Sequence, residues 1–307
     1  MIYNFLFHRV NPKRDVLWDP MDVPLFERCI KYISKNFDVR LAEDIYVNGS
    51  KNTSRKKVAT IMFDDGYKDN FDFAAPILKK YGCKASFYIV TNCIEQNIPT
   101  WTHVLEYYFS NTKQARFNFN FDFIPEELNI QCLKSKEERI AYVKKLKPML
   151  KNIPSHQREI LLEDLQSTCK DVKLPELMMS WEDLKTLRKE GHYIGSHTVS
   201  HPPLGTIKDL SRLTEEIKQS GEIIASKLGY FPLSISYPVG SYNDDTKKIS
   251  KACGYKFGLA VKQNIHDPNK EDIFEISRIE LYNESWFKTK LRINHSLEKI
   301  KQLIRYK

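Results

Sequence analysis

The chain has 307 residues, with 48 Lys+Arg against 39 Asp+Glu for a net charge of +9, and it is 41% hydrophobic and 12% aromatic. That apolar content can fill a core, which excludes a disordered or collagen-like chain, and no stretch approaches the roughly 18 consecutive apolar residues of a membrane span. The charge is local: residues 286–307 carry a net +6 and residues 51–57 a net +4, leaving the remainder at −1. A nucleic-acid protein would spread basic residues along a recognition face with its own motif, and none is present, so no nucleic-acid partner is expected. The length fits one large α/β domain or two ordinary ones.

In chain order, the start Met1-Ile2-Tyr3-Asn4-Phe5-Leu6-Phe7-His8-Arg9 places apolar residues before the basic one. A secretory signal has the reverse order and a longer apolar run, so this segment reads as the first strand of a mature cytoplasmic protein. The six cysteines form no CxxC pair and read as reduced small apolar residues, in keeping with that compartment. Short β-rich runs then alternate with helical patterns, at residues 3–7, 58–63, 85–90, 193–196, 233–237, 257–261 and 274–281. Seven strands separated by helices suit a barrel better than a small open sheet.

The helices carry start and stop signals. Asp22 caps one, with Pro24 in its first turn and Phe26, Cys29, Ile30 and Ile33 as its apolar stripe; Ser180 with Asp183 forms a capping box, and Gly191 ends that helix. Residues 101–179 break the rhythm. Residues 116–123 alternate strictly and set Phe117, Phe119, Phe121 and Phe123 on one face, after which Ser135 with Glu138 opens one helix and Ser155 another. This region is expected to be a mainly helical insertion with a β arm, its aromatic face packed on its own helices, with stacking on sugar rings as the alternative. Residues 286–307 form a basic helix with Phe287, Leu291, Leu297, Ile300 and Ile304 as its stripe. It is either a packed last helix with a solvated basic face or a peripheral contact with an anionic membrane.

Chemistry-bearing residues cluster at strand ends. The run Ile61-Met62-Phe63-Asp64-Asp65-Gly66 takes an apolar strand directly into two carboxylates and a glycine that lets the chain turn. One acid can be held ionised by a cation while the other exchanges protons. Gly195-Ser196-His197-Thr198-Val199-Ser200-His201 follows another strand, and two histidines at i and i+4 can aim at one divalent metal. Two histidines and one aspartate leave a position open for water, the mark of a catalytic metal site. The turn Tyr237-Pro238-Val239-Gly240 offers backbone N–H groups to an oxyanion, and His8 ends the first strand, where a neighbouring metal would make it a candidate acid.

Phe63-Asp64-Asp65-Gly66 together with His197-Thr198-Val199-Ser200-His201 resembles the polysaccharide deacetylases of carbohydrate esterase family 4, the NodB-homology domain. The resemblance implies a distorted (β/α)7-type barrel over residues 1–307, interrupted by the insertion at about 101–179. It implies a divalent metal, usually zinc, on Asp65, His197 and His201, with Asp64 as general base. The family's C-terminal Leu-x-His is absent, since the last strand reads Ile276-Ser277-Arg278-Ile279-Glu280-Leu281. Leu6-Phe7-His8-Arg9-Val10 resembles instead the N-terminal histidine segment of circularly permuted members, which nominates His8 as acid. The family's Arg-x-Pro-Tyr becomes Ser236-Tyr237-Pro238-Val239, so Arg278 is the substitute for its orienting arginine and the Val239 amide the oxyanion donor. Tyr67, Tyr237, Tyr242, Trp101 and Trp181 are candidates for a sugar cleft, with core packing as the default. The expected activity is hydrolysis of an N-acetyl group on an amino sugar of a surface glycan or its nucleotide- or lipid-linked precursor. A sugar deformylase, a non-catalytic glycan-binding relative and a non-haem iron oxygenase are the alternatives.

Overall fold

A parallel strand covered on both faces reads as a continuous apolar run, and β1 (Ile2–Phe7) is buried at all six positions. The computed structural model describes residues 1–15, 17–47, 49 and 55–296. In chain order the further strands are β2 (Phe37–Val39), β3 (Lys57–Phe63), β4 (Ser86–Ile89), β5 (Arg116–Asn118), β6 (Ile130–Cys132), β7 (Tyr193–Ser196), β8 (Ser234–Ser236), β9 (Phe257–Leu259) and β10 (Ile279–Glu280). All but β5 and β6 form one sheet in the order β10-β1-β3-β4-β7-β8-β9, every pairing parallel. β1 runs along one edge of β3, so β2 and β4 divide the other edge, β2 beside Lys57–Ala59 and β4 beside Met62–Phe63.

The ring of neighbours closes through the expected strand at 274–281, which is regular for only two residues. Its first half bonds to β9, through Ile276 N–H to Gly258 O and Ala260 N–H to Ile276 O, and its second half pairs with β1. A segment that changes partner midway cannot keep one ladder, which is why β10 is short. The eighth strand, β2, was not expected; at three residues, directly after the helix Val23–Asn36, it has no turn signal of its own.

The two-residue side-chain period sorts the strands' contents. Phe5, Phe7, Ile61, Phe63, Phe87 and Ile89 face the surrounding helices in the largest apolar cluster, while Met62 and Tyr88 face inward with Phe257, Leu259 and Ile276. Gly195 belongs to the inner set, since a Cβ there would lie 2.5 Å from the Tyr88 ring. Continuing the inner parity past the strand ends gives His8, Asp64 and His197, so the strands deliver these residues to one end of the barrel.

The insertion has its own core. Phe117 and Phe119 are buried with Leu105, Phe109, Leu146 and Leu161, and Phe121 and Phe123 pack against the same group. The expected strand 116–123 stops at Asn118, because the chain folds back through Phe121 N–H to Phe119 O and Ile124 N–H to Phe121 O. Ser135 caps the helix Lys136–Asn152 in a capping box, as does Ser180 the helix Trp181–Lys189. Ser155 instead lies inside the helix Ser155–Thr168, after Pro154, and Asp22 precedes its helix without a capping bond because its carboxylate takes Arg14 at 3.0 Å. The helix Trp286–Ile293 docks on Val23–Asn36 through Trp286 against Tyr32 and buried Ile293, whereas Phe287 is 73% exposed, contrary to the expected stripe. Leu297, Ile300 and Ile304 lie outside the described residues. No helix among the described residues is long and apolar enough to cross a membrane.

At the opposite end of the barrel interior, Glu43 from the helix Ala42–Tyr46 accepts hydrogen bonds from Ser86 Oγ at 2.7 Å, Ser234 Oγ at 2.7 Å and Tyr88 OH at 3.1 Å. Burial raises the Glu43 pKa despite these donors. A raised carboxyl pKa makes the folded state the tighter proton binder, so Glu43 draws stability away as pH rises from its unfolded value through its folded one. Glu43→Gln should therefore gain on the parent as pH rises across that window, by at most about 1.4 kcal/mol for each step of one in pH, read as urea midpoints at a series of pH values. Glu43→Ala, which strands the hydroxyls, should lose about 2–4 kcal/mol at the acid end of that window, a deficit that shrinks with rising pH as the parent weakens.

Candidate metal centre and active site

The site is built where strands end. β3 leads into Asp64, whose amide bonds to Phe7 O, and the chain then turns through Asp65 at φ 77° and Gly66 at φ 88°. At Gly66 the left-handed backbone and a Cβ position 3.1 Å from Ile94 together require glycine. Of the six non-glycine residues with positive φ among those described, four lie in the site's loops: Asp65, Thr198, His201 and Val239. Such backbone persists only where the surroundings hold it.

Asp65, His197 and His201 place one ligand atom each within 4.8 Å of one another, all three buried. Asp65 Oδ1 lies 3.3 Å from His197 Nε2 and 3.2 Å from His201 Nε2, yet has no hydrogen-bond partner. His197 Nδ1 lies 2.8 Å from Ser236 O, which sets the tautomer with the proton on Nδ1 and the Nε2 lone pair facing Asp65. A buried carboxylate oxygen without a donor, converging with two imidazole nitrogens, has the donor set and spacing that suit a divalent cation.

Asp64 sits beside this cluster under a different constraint. Arg278, fully buried, donates Nη1 to Asp64 Oδ1 at 2.8 Å and Nη2 to Oδ2 at 2.9 Å; its Nη2 also reaches Ser236 Oγ at 2.9 Å and its Nε Ala260 O at 3.0 Å. Ser236 Oγ in turn donates to Asp64 Oδ2 at 3.0 Å. Burial alone would raise the Asp64 pKa, but Arg278 and then His197 reverse it, so the carboxylate stays ionised. Oδ2 accepts two bonds and Oδ1 one, which leaves Oδ1 the oxygen with spare lone-pair capacity.

The loops are held from outside. The first N–H groups of the helix Thr91–Gln96 donate to Thr198 O and Val199 O, and Glu216 accepts from Val199 N–H at 3.1 Å, Ser200 N–H at 3.0 Å and the Ser200 hydroxyl. The turn after β1 is fixed by Asn70, whose side chain donates to His8 O at 2.7 Å, and by Asp69, which takes Arg9 Nε at 2.9 Å. His8 Nδ1 then lies 3.3 Å from Glu280 Oε1, with the Trp18 ring 5.8 Å from the imidazole.

A cavity of about 200 Å³ opens on these groups, lined by His8, Asp64, Asp65, His197, His201 and Val239 together with Trp18, Thr102, Glu106, Lys147, Lys151, Val261 and Glu280. Arg278 lies behind Asp64 rather than in the wall. The expected sugar-cleft aromatics are elsewhere: Tyr67 is fully buried with its hydroxyl 3.3 Å from Thr100 Oγ1, and Tyr237, also fully buried, donates to Phe274 O at 2.9 Å. Tyr242 stacks on Tyr237 and bonds Glu275, Trp101 is buried with its indole on His201 O, and Trp181 bonds Glu95. Tyr67 and Tyr242 follow a motif in sequence and Tyr237 lies within one, but the turn there directs each ring into packing. Glu280 and the insertion's wall residues were missed. For Glu280 a signal existed, since it shares a strand face with Arg278 two residues before it; for Lys147 and Lys151 none did. Glu216→Ala should free two loop N–H groups and weaken binding of a divalent metal about 10–100-fold, measured by competition with a chromophoric chelator.

The sequence model described as polysaccharide deacetylase matches residues 51–258. The chain is 27% identical over 264 residues to the poly-beta-1,6-N-acetyl-D-glucosamine N-deacetylase of Staphylococcus aureus (strain N315), covering 85% of this chain and 67% of that one. It is 22% identical over 207 residues to the YxkH protein of Bacillus subtilis (strain 168), but spans only 46% of that protein's length. Among solved structures it is similar to the Streptococcus pyogenes deacetylase PplD in complex with acetate, with TM-score 0.61 at 18% identity over 92% of this chain and 93% of that one. It is equally similar to IcaB from Ammonifex degensii, with TM-score 0.61 at 15% identity over 95% and 96% of the two chains. These structures share the curled, mainly parallel barrel-like fold, and the sequence match over both strand-end motifs settles the relationship: the chain belongs to the polysaccharide deacetylase family.

Proposed function

We propose that the chain hydrolyses an N-acetyl group on an amino sugar of a glycan, releasing acetate, with a divalent metal, zinc foremost, held by Asp65, His197 and His201. The observation that carries this reading is the pairing of two carboxylates with opposite surroundings: Asp65 Oδ1, buried and without a donor among converging imidazoles, and Asp64, clamped by Arg278. The relatives' deacetylase activity supports it.

When bound, the cation would polarise the acetamide carbonyl and make a water more acidic. Asp64 takes the proton of the attacking water on Oδ1, the oxygen with spare capacity, while Arg278 and Ser236 keep the carboxylate in place. In the turn Pro238–Gly240 at the cavity wall, Pro238 has no N–H and Gly240 N–H bonds Tyr237 O, which leaves the amide of left-handed Val239 to receive the developing oxyanion. His8, oriented through Nδ1 by Glu280, delivers a proton from Nε2 to the leaving amine. This makes His8, from the first strand, the acid that the last strand does not supply.

The test is acetate release from N-acetylglucosamine oligomers by zinc-loaded protein. Asp64→Asn and His8→Ala should each lower turnover about 10²–10⁴-fold with the metal content unchanged. Absence of acetate from every acetylated sugar tried would reject the activity, and full turnover in His8→Ala would remove His8 from it.

A further inference from the structure

The insertion supplies one wall of the cavity, through Thr102 and Glu106 of the helix Trp101–Asn111 and Lys147 and Lys151 of Lys136–Asn152. Lys147 and Lys151 are four residues apart, so both ammonium groups stand on one helix face. Three carboxylates of the cavity are already engaged, Asp64 by Arg278, Glu106 by Lys147 and Glu280 by His8, and the fourth, Asp65, converges with the two metal-site histidines. Lys151 is left over. It is half-buried and makes no hydrogen bond or ion pair among the described residues. Burial first, and then Lys147, push its pKa below the usual lysine value, with Glu106 and Glu280 offsetting this in part. A half-buried cation facing another cation is costly until an anion joins it.

A neutral acetylated sugar would leave that charge as it is. We propose that the cavity takes an anionic saccharide, one whose reacting sugar or its immediate neighbour carries a carboxylate or phosphate, and that Lys151 is the specificity residue receiving this group. The inference deepens the deacetylase reading of the same cavity and rests on it. Lys151 lines the same cavity, of about 200 Å³, as Asp64, Asp65, His197 and His201. The anion therefore sits on or directly beside the sugar that bears the acetamide.

Binding decides this without turnover. Trp18 in the cavity wall gives a fluorescence signal for titration, in zinc-loaded and metal-free protein, with three probes: N-acetylglucosamine, N-acetylglucosamine 1-phosphate, and a disaccharide of N-acetylglucosamine and glucuronic acid. At least one anionic probe should bind about tenfold more tightly than the neutral sugar, through a charge-assisted contact. Lys151→Met should bring the anionic probes to within about twofold of the neutral one, and Lys151→Arg should restore the preference. A preference for the phosphate points to a phosphate-linked precursor, one for the uronate to an acidic polymer. Equal binding of all three probes by the parent, no binding of either anion, or an undiminished preference in Lys151→Met would overturn the proposal. Acetate release from the same sugars is scored separately, so a binding preference without acetate would count against the deacetylase reading and not against the anion site.

Discussion

The guanidinium of Arg278 is the constraint on which the site depends. It has no solvent exposure, and its partner Asp64 has 2%. A charge that deep is tolerated only when it is paired and its donors are directed, and Arg278 directs four of its five N–H groups to Asp64, Ser236 and Ala260. Those partners come from the end of β3, the end of β8 and the residue after β9, so one side chain from the closing segment ties three other parts of the sheet across the barrel interior. Removing one member of such a pair leaves an uncompensated buried charge, at a cost of roughly 3–5 kcal/mol. The same contacts set which oxygen of Asp64 keeps a lone pair, so barrel closure and the geometry of that carboxylate are a single structural fact.

The opposite end of the barrel has a different character. Glu43, Ser86, Tyr88 and Ser234 satisfy one another there in a closed network, and Asn4 links Thr60, Tyr46 and Ser277 O in the same way. The functional end instead holds four non-glycine residues in left-handed backbone and a carboxylate oxygen with no donor. Left-handed residues of this kind cost about 1–3 kcal/mol each. The contacts that hold them are specific and external to the loops, from Glu216, from the first turn of Thr91–Gln96 and from Asp69 and Asn70.

Much of this was legible in the sequence because it is local. Asp64-Asp65-Gly66 and His197 to His201 sit at strand ends, and the period of two carries an apolar run straight into the inward-facing position that follows it. All seven strands read from the pattern are present at least in part, for the same reason. What depends on closure was not legible: the change of partner at 274–281, the three-residue β2, and the pairing of Glu280 with His8. Arg278 could be nominated only because the resemblance required an arginine somewhere. The tyrosines misled because adjacency to a motif says nothing of side-chain direction; Tyr67 follows a left-handed turn that sends its ring into the core beside His103. The phenylalanine run misled in the opposite sense, since its strict alternation continues past the point where the chain folds back at Phe121.

The parallel pairing of β1 with β10, Leu6 opposite Glu280, also orders events in time. A chain made from its first residue onward has His8 early, and it acquires the aspartate and both histidines of the metal cluster by residue 201. Neither Arg278 nor Glu280 yet exists at that stage. The nascent chain therefore passes through a long interval in which Asp65, His197 and His201 are all present but Asp64 has no Arg278 to clamp it and His8 no Glu280 beside it. The Asp64 clamp and the His8–Glu280 contact are therefore the last parts of the cavity that synthesis brings within reach, after the Asp65, His197 and His201 cluster.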